Sequence, residues 1–364
     1  MLGPPRKIVT DMDLGELFKI HLLNVWLTVL TLGIYRFWAK TRLRQYLWAA
    51  VRFEGDRLEY TGQAKELLKG FLLAFGVFLV PFYIAVSVNE AVILPASEWA
   101  YILIDKGLLL LVLFFTPFAL YRARRYRLSR TQWRGIRAGQ TGTALGYAKL
   151  FFLGGLMVML TLGLTLPHLR LRCMAYKLNK TVFGNARFDF SCDVKPLYRT
   201  YFFVLFMAAF SVPGAWFMTH FILVSTGVWG AYVEIYPPTF WDSALQVFLG
   251  LSPYLAGFIA GLFFWSIYKA DEYAHFAKHT QFQGCRFRFT AEGMDVFNLW
   301  FLNMLTMMVT FTLGAPFVYR RTLLFIEDYL VIHGPLDYDS LAQCLEPVPG
   351  RGEGLADAFD VDGF

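Results

Sequence analysis

A mainly α, polytopic membrane fold built on an internal repeat is what the sequence predicts, and three observations predict it. The first is composition. Of the residues 57% are hydrophobic, 18% aromatic and only 17% charged, with a mean hydropathy of +0.46, so water is not the main solvent of this chain. The second is a set of four apolar runs, each long enough to cross a hydrocarbon layer of roughly 30 Å as a helix. The third is a recurring tripeptide: Thr31-Leu32-Gly33, Thr161-Leu162-Gly163 and Thr312-Leu313-Gly314 each end an apolar run and precede a basic segment. The displacement from the first copy to the second also aligns Lys40 with Arg170, Arg42 with Arg172, Tyr46 with Tyr176 and Arg57 with Arg187. Self-similarity at a fixed period means a repeated structural unit.

Taken in order, the start of the chain carries Arg6 and Lys7 followed by Asp11, Asp13 and Glu16, without the small-residue cleavage site of a secretory signal, and is expected to be retained. The spanning runs are Leu67 to Val88, Trp99 to Leu120, Leu197 to Phe221, and Ala244 to Ile267. The loops inside each pair, Asn89 to Glu98 and His220 to Ser243, have no Lys or Arg and carry Glu90, Glu98, Glu234 and Asp242, which places them outside. The remaining connections are crowded with cations and belong in the cytoplasm.

The runs Leu17 to Trp38, Tyr147 to Pro167 and Val296 to Tyr319 conflict with simple spanning, because a cationic segment follows each and the latter two are flanked by inside loops at both ends. They read as re-entrant helical hairpins, broken near Asn24, near Gly154-Gly155 or at Thr-Leu-Gly itself. Broken backbone at membrane depth needs protein or a wet cavity around it. Gly-centred stretches of alternating polarity follow the exits: Phe53 to Tyr60, Phe183 to Phe190, His333 to Tyr338, and the matched pair Thr131 to Arg137 and Thr280 to Arg286. These read as five short cytoplasmic strands. The organisation is a first repeat at 1–140, a second at 141–290, a third, partial one at 291–345, and a loose tail at 346–364.

The opening from Gly15 to Phe71 (GELFKIHLLNVWLTVLTLGIYRFWAKTRLRQYLWAAVRFEGDRLEYTGQAKELLKGF), with TQWRGIR and the repeated Leu-Gly units, resembles the YjgN-like family of bacterial inner-membrane proteins, a family without known function. The resemblance covers nearly the whole chain. It implies a multi-pass protein of the bacterial inner membrane, here with both termini expected in the cytoplasm, and it brings no catalytic or ligand residues.

Candidate chemistry is sparse. Asn24, Thr28, Thr31, Gly33, Thr161, Gly163, Thr312 and Gly314 cluster at the hairpin breaks, where hydroxyls either bond freed carbonyls or line a solute path. Asp105, beside Lys106 inside the second span, is either a polar transport site or an interfacial pair. Arg122, Arg124, Arg125 and Arg127, interleaved with tyrosines, suit anionic head groups. Asp271, His275 and His279 share one helical face and could hold zinc, although a solvated face is the simpler reading. The spacing of Gly257 and Gly261 suggests close helix packing. The cysteines Cys173, Cys192, Cys285 and Cys344 have no metal or disulfide spacing, so no cofactor is implied.

The net charge of +7 is distributed as loop bias rather than as a nucleic-acid surface. There is no Walker loop, nucleophile elbow or dinucleotide fingerprint, and no enzyme is expected. The sequence reading ranks a transporter or channel lined by the hairpins first. Its alternative is a non-transporting scaffold that holds anionic lipid, or a partner protein, at its basic cytoplasmic face. Expected partners are membrane lipids, with a homo-oligomer or a membrane partner protein as further candidates.

Overall fold

The computed structural model describes residues 5–227, 240–336, 338 and 340–349, with backbone alone for 240–246. Two compact units emerge: Met1–Cys192, Lys278–Arg288 and Thr306–Phe364 form the first, Asp193–Ala277 and Phe289–Leu305 the second.

The frame of the first unit is a closed barrel. Its strands are β1 (Arg6–Thr10), β2 (Val51–Phe53), β3 (Asp56–Tyr60), β4 (Thr131–Trp133), β5 (Ile136–Gln140), β6 (Thr181–Phe183), β7 (Ala186–Phe190), β8 (Thr280–Phe282), β9 (Cys285–Phe289) and β10 (Leu330–His333). They close in the order β1-β10-β9-β8-β7-β6-β5-β4-β3-β2. This corrects the expectation of five single strands: most Gly-centred stretches are hairpins of two strands, and β1 was not foreseen. Glu54-Gly55, Arg134-Gly135 and Gln283-Gly284 have φ above zero at both residues, the tight turn whose twist matches paired strands. Closure removes the unpaired edges that strands of three to five residues would otherwise expose. The expected strand at His333 to Tyr338 ends at His333 instead. The residues after it run across the barrel end.

Each excursion from the barrel leaves one strand and returns on its neighbour. Helices α1 (Leu14–Leu30) and α2 (Arg36–Ala50) lie between β1 and β2, which pair as Ile8↔Phe53 and Thr10↔Val51. Helices α3 (Ala64–Ala96) and α4 (Glu98–Ser129) lie between β3 and β4, paired Tyr60↔Thr131. Helices α5 (Ala144–Leu160) and α6 (Leu166–Leu178) lie between β5 and β6, paired Gln140↔Thr181. Helices α7 (Lys195–Ser225) and α8 (Phe240–Lys278) connect β7 to β8, paired Phe190↔Thr280. Helices α9 (Gly293–Thr310) and α10 (Ala315–Tyr329) connect β9 to β10. Starts are capped where the sequence offers a cap: Asp13 accepts from Gly15 N at 2.8 Å and Thr143 from Gly146 N at 3.1 Å.

Among the described residues, four helices are long and apolar enough to cross a membrane: Ala64–Ala96, Glu98–Ser129, Lys195–Ser225 and Val247–Lys278. Their apolar side chains are mostly exposed, including Val77, Tyr83, Leu103 and Phe206, as expected where lipid is the solvent. The predicted loop at Asn89–Glu98 is instead helical to Ala96, with a wide turn at Asn89–Ile93. Of the second predicted outside loop, Glu234 and the Asp242 side chain lie outside the described residues, as does most of the tail. Within the second unit Gly257 and Gly261 do pack tightly, a Cβ at Gly257 standing 3.2 Å from Val212 O.

The core of the first unit sits at the helix feet. Phe37, Ala64, Leu67 and Tyr126 form one buried cluster, Tyr121, Tyr147, Leu169 and Cys173 another. Burying each large side chain contributes about 1.5–3 kcal/mol. Glu66 ties the feet of α3 and α4, accepting from Arg130 Nη2 at 2.5 Å and Tyr126 Oη at 2.7 Å.

Candidate functional site: apolar tips, a basic groove and an apolar chamber

The hairpins break at the Thr-Leu-Gly region, not at Asn24 or Gly154-Gly155, which lie inside helices. Leu32 and Gly33 take φ of 49° and 89°, Leu162 and Gly163 of 50° and 93°. The third break is displaced by two residues from the Thr-Leu-Gly letters: its left-handed pair is Phe311 and Thr312, at 47° and 74°. Backbone bonds give the same register, Gly33 N to Thr28 O, Gly163 N to Val158 O and Thr312 N to Met307 O. Thr312 therefore stands where Gly33 and Gly163 stand, and Gly314 caps α10 instead. The equivalent threonines are Thr31, Thr161 and Thr310. Each hydroxyl donates to the carbonyl four residues earlier, Leu27, Met157 or Thr306, and accepts the amide four residues later, Tyr35, Thr165 or Gly314. Thr28 likewise donates to Asn24 O. These hydroxyls satisfy the broken backbone. The side chains at the tips are apolar and outward: Leu32 is 95% exposed, Leu162 91% and Phe311 85%.

The other predicted residues have local partners. Asn24 is buried and donates to Ala39 O at 3.3 Å, pinning α1 to α2. Asp105 pairs with neighbouring Lys106 on the exposed surface of α4. In the arginine-rich stretch Arg122 is exposed, its guanidinium 5.8 Å over Phe118, and Arg124 reaches Thr181 at 3.4 Å. Arg125 and Arg127 are half-buried. The interleaved tyrosines are core rather than interfacial: Tyr121 stacks on Tyr147 and donates to Thr141 O. Asp271 is turned to Thr200 Oγ1, and His275 Nε2 lies 2.8 Å from Asp193 O. His279 lies near Cys192, their ligand atoms within 4.8 Å. Of the predicted face, Asp271 is thus engaged with Thr200.

Two features went unread in the sequence. Beside α2, Tyr35, Trp38, Thr41, Arg42 and Gln45 face Gly62 to Lys65 across a polar groove of about 540 Å³. Arg42 and Lys65 are both exposed along it. The Tyr35 and Trp38 rings stack 6.3 Å apart at the end nearer the Thr-Leu-Gly turn, and Arg36 lies 4.5 Å over Phe71. The available signal was the repeat itself, since Lys65 and Lys195 share the displacement of Arg42 and Arg172.

The second feature is apolar. Where α2, α4 and α10 meet the barrel rim there is a chamber of about 410 Å³, and a second of about 220 Å³ lies within the barrel. Val51 and Leu58 belong to the walls of both. Leu336 lines the barrel chamber, and beyond it the chain crosses the strand turns. Arg6 donates to Tyr338 Oη at 2.9 Å, Asn185 to Ser340 O at 3.0 Å, Gln343 to Gly135 O at 2.9 Å, and Arg137 to Cys344 O at 2.8 Å. Burial pushes the Cys285 thiol in the barrel wall above its ordinary value, with Arg6 pulling the other way.

Such an arrangement defines a multi-pass membrane protein whose helical excursions are strung on one closed barrel. The chain belongs to the family described as "Bacterial protein of unknown function (DUF898)", which matches residues 12–358. It is 30% identical over 120 residues to the "Inner membrane protein YjgN" of Escherichia coli strain K12, and equally to that of Escherichia coli O157:H7. The match covers 33% of this chain and 27% of each relative. No solved structure matches.

Proposed function

We propose that this protein is a scaffold of the bacterial inner membrane that holds anionic lipid at its cytoplasmic face, with its hairpins dipping into the inner leaflet. The observation that carries this reading is the vertical order at the first hairpin. Apolar Leu32 is at the tip, the Tyr35 and Trp38 pair follows, and Arg42 with Lys65 lies below. That order matches hydrocarbon, interface and head group. A segment that leaves one barrel and returns to it crosses a bilayer an even number of times, which supports two crossings for α3 with α4 and none for the shorter hairpins. The cation-rich connections support a cytoplasmic barrel and cytoplasmic termini, and the relatives' name supports the inner membrane. Transport along the hairpins has less support, because their hydroxyls bond their own backbone and their tips are apolar.

Two measurements test this. With the natural cysteines replaced, a fluorophore on Leu162→Cys in vesicles should be quenched by a nitroxide on the lipid chains and not by an aqueous quencher. The reverse pattern would sink the dipping hairpin. For lipid choice, the Arg42→Gln, Lys65→Gln double variant should lose about 10- to 30-fold of the preference for phosphatidylglycerol over phosphatidylcholine, from about 1 kcal/mol per cation. The preference should also weaken with salt. An unchanged preference in the double variant would remove the groove as the head-group site.

A further inference from the structure

We propose that the paired apolar chambers hold one long hydrocarbon chain, the acyl tail of a membrane lipid. This is a site separate from the basic groove, and it does not depend on head-group charge.

The walls decide the ligand class. Polar atoms among the lining residues are few, and those with mapped bonds are committed to the protein. Trp48 Nε1 donates to Thr131 Oγ1 at 2.9 Å, and Thr131 Oγ1 donates in turn to Arg127 O at 2.9 Å. Thr322 Oγ1 donates to Val318 O at 2.8 Å, and Trp133 Nε1 to Phe53 O at 3.2 Å. What these side chains turn to the chamber is carbon. A space walled this way offers a ligand almost no hydrogen bond, so it rejects sugars, nucleotides and ions by desolvation and takes hydrocarbon, as apolar cavities do.

The geometry favours a chain over a compact molecule. The two spaces, about 410 and 220 Å³, adjoin at Val51 and Leu58 and lead from the feet of the hairpins down into the barrel. An acyl chain is long, thin and flexible enough to follow that path. Lipid is also the hydrocarbon at hand, since two of the framing helices, α2 and α10, descend from tips whose Leu32 and Phe311 face outward. Leu336 is among the residues that wall the barrel space, so the chain end would rest beside it.

The test uses the full-length protein, delipidated in detergent and titrated with dibromostearoyl phosphatidylglycerol, dibromostearoyl phosphatidylcholine or free dibromostearic acid. Bromine quenches a nearby indole, and the difference between the wild type and Trp48→Phe isolates Trp48 from the other tryptophans. The expected result is saturable quenching of Trp48, close to one chain per protein and similar for both phospholipids. Quenching by the free acid alone would replace the phospholipid tail with a free fatty acid and overturn the stated source. Filling the space with Leu58→Trp should weaken binding at least about tenfold, and Leu323→Trp should do the same if Leu58→Trp fails to fold. Quenching of Trp48 that is absent, or unchanged in a folded filling variant, overturns the proposal. The Arg42→Gln, Lys65→Gln variant should keep this quenching, so failure of the head-group reading and failure of this one are read separately.

Discussion

Replacing Glu272 with leucine is expected to destabilise the protein by about 3–5 kcal/mol. Glu272 is 0% exposed and Lys269, one turn earlier on α8, is 6% exposed as a side chain, with Nζ 2.5 Å from Oε2. Tyr268 Oη donates to the other carboxylate oxygen at 3.3 Å. The leucine would leave an ammonium buried beside the rings of Trp265 and Tyr273, 5.7 and 5.6 Å away. Their π faces return only about 0.5–2 kcal/mol, less than the carboxylate supplies. The double variant Lys269→Met, Glu272→Leu removes both charges and should recover to within about 1 kcal/mol of the wild type, because a well-packed apolar pair often equals a buried ion pair. Equilibrium unfolding in mixed micelles with rising SDS measures both. A single variant as stable as the wild type, or a double variant as weak as the single, would show that the pair does not hold this part of α8.

This pair also marks what a sequence can and cannot disclose. Lys269 and Glu272 stand three apart, the spacing of neighbours on a helix, yet nothing local says that their face is buried. The four spans were legible because twenty apolar residues have few other fates. Two of the helix breaks were legible because Thr-Leu-Gly, ending an apolar run before a basic segment, marks the left-handed turn itself at Leu32-Gly33 and Leu162-Gly163. The barrel was half legible: Glu54-Gly55 and Arg134-Gly135 are hairpin turns in plain view, but closure depends on pairing residues as distant as Lys7 and Val331. The register of the third hairpin misled because the letters Thr-Leu-Gly recur two positions away from the structural equivalent, and hydrogen bonds rather than letters decide that Thr310 matches Thr31. The basic groove was hidden for a similar reason, since Arg42 and Lys65 come from separate elements joined by a β-hairpin. The apolar chambers had no signature, being made of side chains that any core would use.

Changing Gly184 to valine is expected to release the chain segment that crosses the barrel end and to cost about 3 kcal/mol in all. Gly184 opens the turn between β6 and β7 with φ of 60°, and a Cβ there would stand 2.3 Å from Ala342 O and 3.0 Å from Ile136 Cγ2. Left-handed backbone alone costs an L-residue roughly 1–2 kcal/mol. The remainder is the clash, which a backbone carbonyl cannot evade by changing rotamer. The strap should therefore lift, losing the bonds from Asn185 to Ser340 O and from Ala342 N to Asn185 Oδ1. Limited proteolysis should cut between Tyr338 and Glu346 in the variant and not in the wild type, while amide exchange in β6 and β7 stays slow. Gly55→Ala is the control, since Gly55 has φ of 84° but nothing within 4 Å of its added Cβ. It should carry the backbone cost and leave the strap in place. In a chain ending at Leu336 the Gly184→Val penalty should fall towards that of Gly55→Ala, because Ala342 is gone and only the turn strain and the Ile136 contact remain. Equal penalties in the full and shortened chains would mean that the strap lies on the barrel without bracing it, and that barrel closure alone holds the turns.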